Sequence, residues 1–422
     1  MNIMNLLKQK KDPSDVFTPR QSEVNDNMYI HRNKNEKSIV RWLKENMHGF
    51  IYGESGNGKT WLYKKVFNEN NVNYVIANCT LASSKGSLRN EIFSSCMPSA
   101  TSIKTGYSET KEAGLDAVVA SATINHEANY EILTEDKLLI SFKELSKKAD
   151  KNTFSVIVLD NVETIFNNAT LMDELADIII LLDDSRYAKY KVKFLIVGVP
   201  CGVIEYFSKS KNRSSVGNRI TELPSVTGFS ILETKEIVNK GFNEHLDCDL
   251  SQTLIDGITG KIYDITLGVP QRVHEYCLSL YYAREDNNGN IDAKTLTDAD
   301  AGWLQKGLRE SYAAIEQHFS GSGGQIRRGQ VLYSIGKLKG HQFNTAEIGA
   351  QIRKNFTSVE ISADSGIGSI LSSLTKGDSP LLSKNTTTGS YSVIDPRTIM
   401  CLRLILEKTD DNQVIKRGFI RN

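Results

Sequence analysis

Gly53-Glu54-Ser55-Gly56-Asn57-Gly58-Lys59-Thr60 fits G-x-x-x-x-G-K-[ST] without a mismatch. The chemistry of such a run is phosphate capture. Glycines let the loop curl, so that consecutive backbone N–H groups point inward at phosphate oxygens. A helix beginning at the end of the loop adds its positive N-terminal end. Lys59 can reach the β- and γ-phosphates of a nucleotide, and the Thr60 hydroxyl can ligate Mg²⁺. The flanks agree with this reading. Phe50-Ile51-Tyr52 is a short apolar strand before the loop, and Thr60 to Phe67 is helix-like after it.

A second signal lies about 100 residues further on. Phe154 to Leu159 is an apolar strand that ends in Asp160. A buried strand holds that carboxylate where it can orient the Mg²⁺ shell beside Thr60. Around these two sites strands and helices alternate. Helical spacing covers Asn35 to Met47, Leu88 to Cys96, Glu135 to Lys148 and Leu171 to Leu182; strands are expected at Asn73 to Ala77 and Lys193 to Val199. That alternation predicts an α/β fold with a parallel sheet and helices on both faces. Residues 101–132 interrupt it and read as an insertion.

The remainder is helical and then mixed. Glu233 to Phe242, Leu250 to Thr259, Pro270 to Ala283 and Ala301 to His318 are the expected helices of a lid. The division predicted is a polar, loose N-terminal arm over 1–27, a core over 28–227, a helical lid over 228–319 and a further domain over 320–422. The glycine–serine run 320–324 is the joint. Composition is ordinary for a globular chain, at 40% hydrophobic and 24% charged. The net charge of +1 gives no global pull toward nucleic acid or membrane. The charge is uneven, however: residues 321–422 hold fourteen Lys/Arg against eight Asp/Glu. Six scattered cysteines without a CxxC pair and seven histidines without ligand spacing argue against disulfides and transition metals. No apolar run is long enough to cross a bilayer, and the first residues lack a signal-peptide core, so a cytoplasmic setting is expected.

With these motifs the chain resembles the AAA+ and STAND P-loop ATPases, in particular the branch with origin-recognition-type initiators and transposition ATPases. The resemblance runs over about residues 28–400. It implies ATP and Mg²⁺ as cofactors. It also implies roles for further residues. Tyr29-Ile30-His31-Arg32 is similar to the box these proteins place near the adenine. Asn161 stands where many relatives carry a catalytic Glu, so Glu163, in an Asp-x-Val-Glu arrangement, is the residue expected to orient water; otherwise it is a solvated helix-start glutamate. Arg219, with Arg213 second, fits the arginine offered to a neighbouring subunit's γ-phosphate, or else it forms a surface salt bridge. The first role would require a homo-oligomer. Gly268-Val269-Pro270-Gln271-Arg272 resembles the start of the lid's nucleotide-sensing helix, with Arg272 one residue later than usual and Pro270 as the alternative contact. The strand end at Val199 is apolar, and no sensor is carried over there.

The last hundred residues, with three amphipathic helices and a hairpin, resemble a winged helix. Their positive surplus suits phosphate contact, with Arg353, Lys354, Lys376 and Lys384 as backbone binders. The segment Ser365 to Lys376 lacks the Arg, Asn and Gln cluster that reads base edges. DNA and a protein effector therefore both stand as partners through 321–422. Three settings compete: an oligomerising regulatory ATPase, as in anti-phage defence; a DNA-loading ATPase of replication or transposition; and a nucleotide-binding assembly protein with little hydrolysis.

Overall fold

The computed structural model describes residues 11–97, 136–148, 154–198, 207, 213–319, 325–356 and 366–418. The expected insertion at 101–132, Val199 and the joint at 320–324 lie outside them. The chain divides into two compact units. One comprises 32–55 and 59–226, and the other comprises the chain up to 31, 56–58 and everything from 227 onward.

The first unit is built on five parallel strands: β1 (His48–Tyr52), β2 (Tyr74–Asn78), β3 (Ser155–Asp160), β4 (Val192–Gly198) and β5 (Ile220–Glu222). Their order is β2-β3-β4-β1-β5. The period of two along each strand sorts the side chains. Val156, Val158, Leu195 and Val197 face one way, with Ile39, Trp42, Leu62 and Val66 of the helices Asn33–Trp42 and Lys59–Glu69. Ile157, Leu159, Phe194 and Ile196 face the other way, onto the helices Leu88–Cys96, Lys137–Ser146 and Ala169–Ile180. A parallel sheet covered on both faces needs strands that are apolar throughout, and β3 and β4 supply them. Lys193 is the exception inside β4. Its amine donates to the carbonyls of Trp42 (2.6 Å) and Glu45 (2.8 Å) and lies 4.2 Å from the Trp42 ring centre. Burial pushes it down to about 7. The edge strand β5 was not expected from sequence. It is three residues long and rests on pairing with β1 rather than on a pattern of its own.

The second unit is mainly helical: Ile231–Asn239, continued as a π-helix over Lys240–His245, then Gln252–Thr266, Pro270–Asp286, Ala293–Gly307 and Arg309–Phe319. The single helix expected over Ala301 to His318 is two helices. Asp292 starts the first early through a capping box with Thr295, and the backbone turns out of helix at Leu308 (φ −126°). Residues from 13 onward are not a loose arm. Phe17 is fully buried, stacks obliquely on Phe242 at 5.3 Å and meets the edge of His274. Beyond residue 325 the order is helix Gln325–Gly336, strand β6 (Gln342–Phe343), helices Thr345–Asn355 and Ile367–Ser373, and strands β7 (Leu382–Lys384) and β8 (Tyr391–Val393). The antiparallel sheet runs β6-β8-β7. A last helix, Arg397–Ile405, and the hairpin β9 (Leu406–Lys408) and β10 (Val414–Lys416) were not expected.

Two carboxylates of these helices receive arginines from this last part. Asp264 Oδ1 accepts Arg403 Nη1 at 2.8 Å, while Arg403 also donates to the carbonyls of Gly336 and Leu338. Asp300 is fully buried; it accepts Tyr276 and Lys261 at 2.7 Å each and Arg417 at 3.1 Å. A buried carboxylate is stable only when so paired.

Candidate functional site

The site forms where the carboxyl ends of the parallel strands meet, the usual crevice of an open α/β sheet. β1 delivers Gly53, and the loop then turns through Gly56 (φ +84°) and Gly58 (φ +83°), backbone conformations that favour glycine. Gly53 itself is required by crowding, since a Cβ there would lie 2.2 Å from the Val226 carbonyl oxygen. Val226 is held in place by its N–H donating to the Tyr52 oxygen at 2.8 Å. The helix Lys59–Glu69 starts directly at the loop's lysine. Lys59 Nζ donates to the carbonyls of Gly53 (2.6 Å) and Glu54 (3.1 Å).

Three carboxylates act on that amine. Burial lowers the proton affinity of Lys59, while the charges of Glu163, Asp160 and Glu54 oppose the shift. Asp160 ends β3 in register with Asn78 of β2. Burial raises its carboxyl above the usual range; the Asn161 N–H, at 3.0 Å from Oδ1, and the charges of Lys59 and Lys64 work against this. The sequence expects Lys59, Asp160 and Glu163 at one site, and the fold brings both carboxylates into electrostatic reach of Lys59.

Glu163 arrives by a backbone device that the sequence reading did not use. Asn161 adopts the left-handed conformation (φ 58°, ψ 42°) and leads into a 3₁₀ turn over Val162–Ile165. Asparagine tolerates that conformation better than most side chains. The turn buries Val162 and Ile165 and leaves Glu163 Oε2 buried with no hydrogen-bond partner among the described residues. An orphaned acceptor whose charge acts on the loop's lysine fits a site that takes a water or a ligand donor. The available donor set, the Thr60 hydroxyl and the Asp160 carboxylate, consists of hard oxygens and fits Mg²⁺. Cys79 shares this surrounding: burial pushes its thiol up to about 12, helped by Asp160 and Glu163, so it stays neutral there.

The remaining expected residues have their own partners. Arg32 is the residue before helix Asn33–Trp42, where its N–H donates to Glu36 Oε1 at 2.7 Å. Arg219 pairs with Asp183 at 2.6 Å and donates to the Ser215 carbonyl, so its fork is engaged within its own chain. Arg213 begins the short helix Arg213–Gly217. Pro270 is buried at the first position of helix Pro270–Asp286. Arg272 turns onto Glu275, contacting both oxygens at 2.8 Å. The loop tip 56–58 groups with the helical unit, and there the Gln271 N–H donates to the Gly56 oxygen at 3.2 Å. Gln271, not Arg272, is therefore the first-turn residue at the glycine loop. The one-residue offset from the common spacing, about 100° around a helix, was the available signal.

Residues 43–207 match the family described as "AAA domain". This stretch has the fold of the AAA+ P-loop ATPases. That segment takes in β1 through β4, the phosphate loop and Asp160. Among solved structures, the Walker-type ATPase of Pyrococcus abyssi is 15% identical with a TM-score of 0.50, over 89% of this chain and 96% of its own. The Aeropyrum pernix ORC2 protein in its ADP form is 13% identical with a TM-score of 0.49, over 94% and 99%. CDC6P from Pyrobaculum aerophilum is 14% identical with a TM-score of 0.46, over 94% and 98%. No curated protein matches the chain. Among the described residues no helix is long and apolar enough to cross a membrane.

Proposed function

We propose that the AAA domain binds ATP at Gly53–Thr60 and hydrolyses it, using the nucleotide to switch the state of the chain. The observation that carries this is Glu163: a carboxylate with one buried oxygen that has no partner among the described residues, acting on the same lysine as Asp160. The loop amides and Lys59 hold the phosphates, and Thr60 and Asp160 supply the oxygens for Mg²⁺. Bound Mg²⁺ would offset phosphate charge. Glu163 Oε2 accepts a hydrogen bond from the attacking water and aligns it. Arg219 is left out of this set, because its guanidinium already serves Asp183 and Ser215.

The module beyond residue 325 fits a winged helix in its helix, strand, helix, helix, strand, strand order. Its surplus of positive charge supports contact with a polyanion, DNA being the first to test. Self-association on ATP binding and docking of a protein effector complete the proposal; defence, replication and transposition are all settings that would use it. The test of the site is Glu163→Gln. ATP turnover is expected to fall about 100-fold or more while ATP affinity holds. Turnover at the wild-type rate would sink the role given to Glu163. Oligomer mass with ATP, with and without duplex DNA, separates the settings.

A further inference from the structure

A hollow of about 270 Å³ opens in the helical unit, between Arg20 of the N-terminal segment and the helices Pro270–Asp286 and Ala293–Gly307. Its volume is near the low end of small-molecule sites, which run from about 300 Å³. The floor is rigid. Trp303 is 1% exposed, packs edge-on against Tyr276 and donates its indole N–H to Glu275 Oε2 at 3.2 Å. Glu275 is fully engaged, taking Gln271 at 3.0 Å and both contacts of Arg272. A side chain at position 307 would fill this floor, since a Cβ on Gly307 would lie 2.9 Å from Trp303 Nε1 and 3.1 Å from Glu275 Oε2.

The rim has a different character. Arg20 and Lys306 are exposed and make no ion pair among the described residues. Lys306 Nζ stands 5.7 Å from the centre of the Tyr282 ring, and that ring is 38% exposed. Arg272 neutralises Glu275, so the hollow is left with two uncompensated cations. It combines an exposed flat ring, two positive groups and a packed indole floor. Such a surface selects a flat ring by stacking and an anionic group by charge.

We propose that this hollow is a second ligand site, separate from the phosphate loop, for a small anion that carries a flat ring. The ring lies on Tyr282 over the Trp303 floor, and the carboxylate or phosphate meets Lys306 and Arg20. The volume admits one ring with its anionic group. The site does not depend on the reading of the AAA domain as an ATPase.

The experiment is calorimetric titration of the full chain with phenyl phosphate, benzoate and benzyl alcohol, each with and without ATP and Mg²⁺. One or both anions should bind with Kd of about 1 mM or tighter, and benzyl alcohol at least tenfold more weakly. Preference between the two anions assigns the ligand to phosphates or carboxylates. Lys306→Glu and Arg20→Glu, both on exposed side chains, should each weaken the anion about tenfold or more and leave ATP binding unchanged. The proposal is overturned if neither anion binds by 10 mM (~ten times the expected limit), if benzyl alcohol binds as well, if neither charge reversal weakens binding, or if ATP displaces the probe competitively.

Discussion

Replacing Asp300 with alanine removes the centre of the helical unit's polar network. Asp300 is fully buried, with Tyr276 on one oxygen and Lys261 and Arg417 on the other. The variant strands the Tyr276 hydroxyl, which sits in a fully buried side chain; an unsatisfied buried group costs about 1–3 kcal/mol. It also leaves two cations without their counter-ion. Breaking a buried pair costs about 3–5 kcal/mol. The side chains of Lys261 and Arg417 are 25% and 32% exposed, so both can recover water and this contribution is reduced. The expected loss is about 3 kcal/mol for Asp300→Ala. Asp300→Asn keeps an acceptor for Tyr276 and should lose about half of that. Urea unfolding of the full chain reads the difference; with a slope of about 2–3 kcal/mol/M the Ala midpoint should drop by about 1 M. A drop under about 0.3 M, or an Asn variant as damaged as Ala, would refute the view that this carboxylate organises the unit.

Three further outcomes are expected. Lys59→Ala should abolish ATP binding by equilibrium dialysis and leave the nucleotide-free stability within about 0.5 kcal/mol of wild type, because among the described residues its amine bonds only loop carbonyls. His48 is buried, accepts from the Phe194 N–H and has its proton affinity pushed down to about 3 by burial. The unfolded chain binds a proton there that the folded chain refuses, so stability falls as pH drops below the unfolded value of about 6.5. By pH 4 this amounts to roughly 3 kcal/mol, and His48→Gln should flatten the acid side of the stability curve accordingly. Phe17→Ala should cost about 3–5 kcal/mol and lower the thermal midpoint; a silent substitution would mean that the N-terminal segment does not belong to the helical unit.

The core was legible because its signals are local. The continuous apolar runs of β3 and β4 and the glycine loop each declare themselves within a few residues. β5 was missed because three residues carry no period, and they are strand only through the pairing of Ile220, Thr221 and Glu222 with β1. The N-terminal segment read as loose because its polar composition hid one residue, Phe17, whose partner Phe242 lies over two hundred positions away. The hairpin after Arg397–Ile405 escaped for the same reason as β5.

The site divides in the same way. Residue type and spacing alone marked Gly53 to Thr60 as a candidate phosphate loop and put Asp160 at the end of an apolar strand, since both motifs are contiguous. Tertiary structure decided the long-range pairings. It set Glu163 beside Lys59 through the left-handed turn at Asn161, tied Arg219 to Asp183, and turned Arg272 onto Glu275 while Gln271 took the loop. An arginine's role depends on which carboxylate lies within about 4 Å of it, and no spacing along the chain encodes that distance.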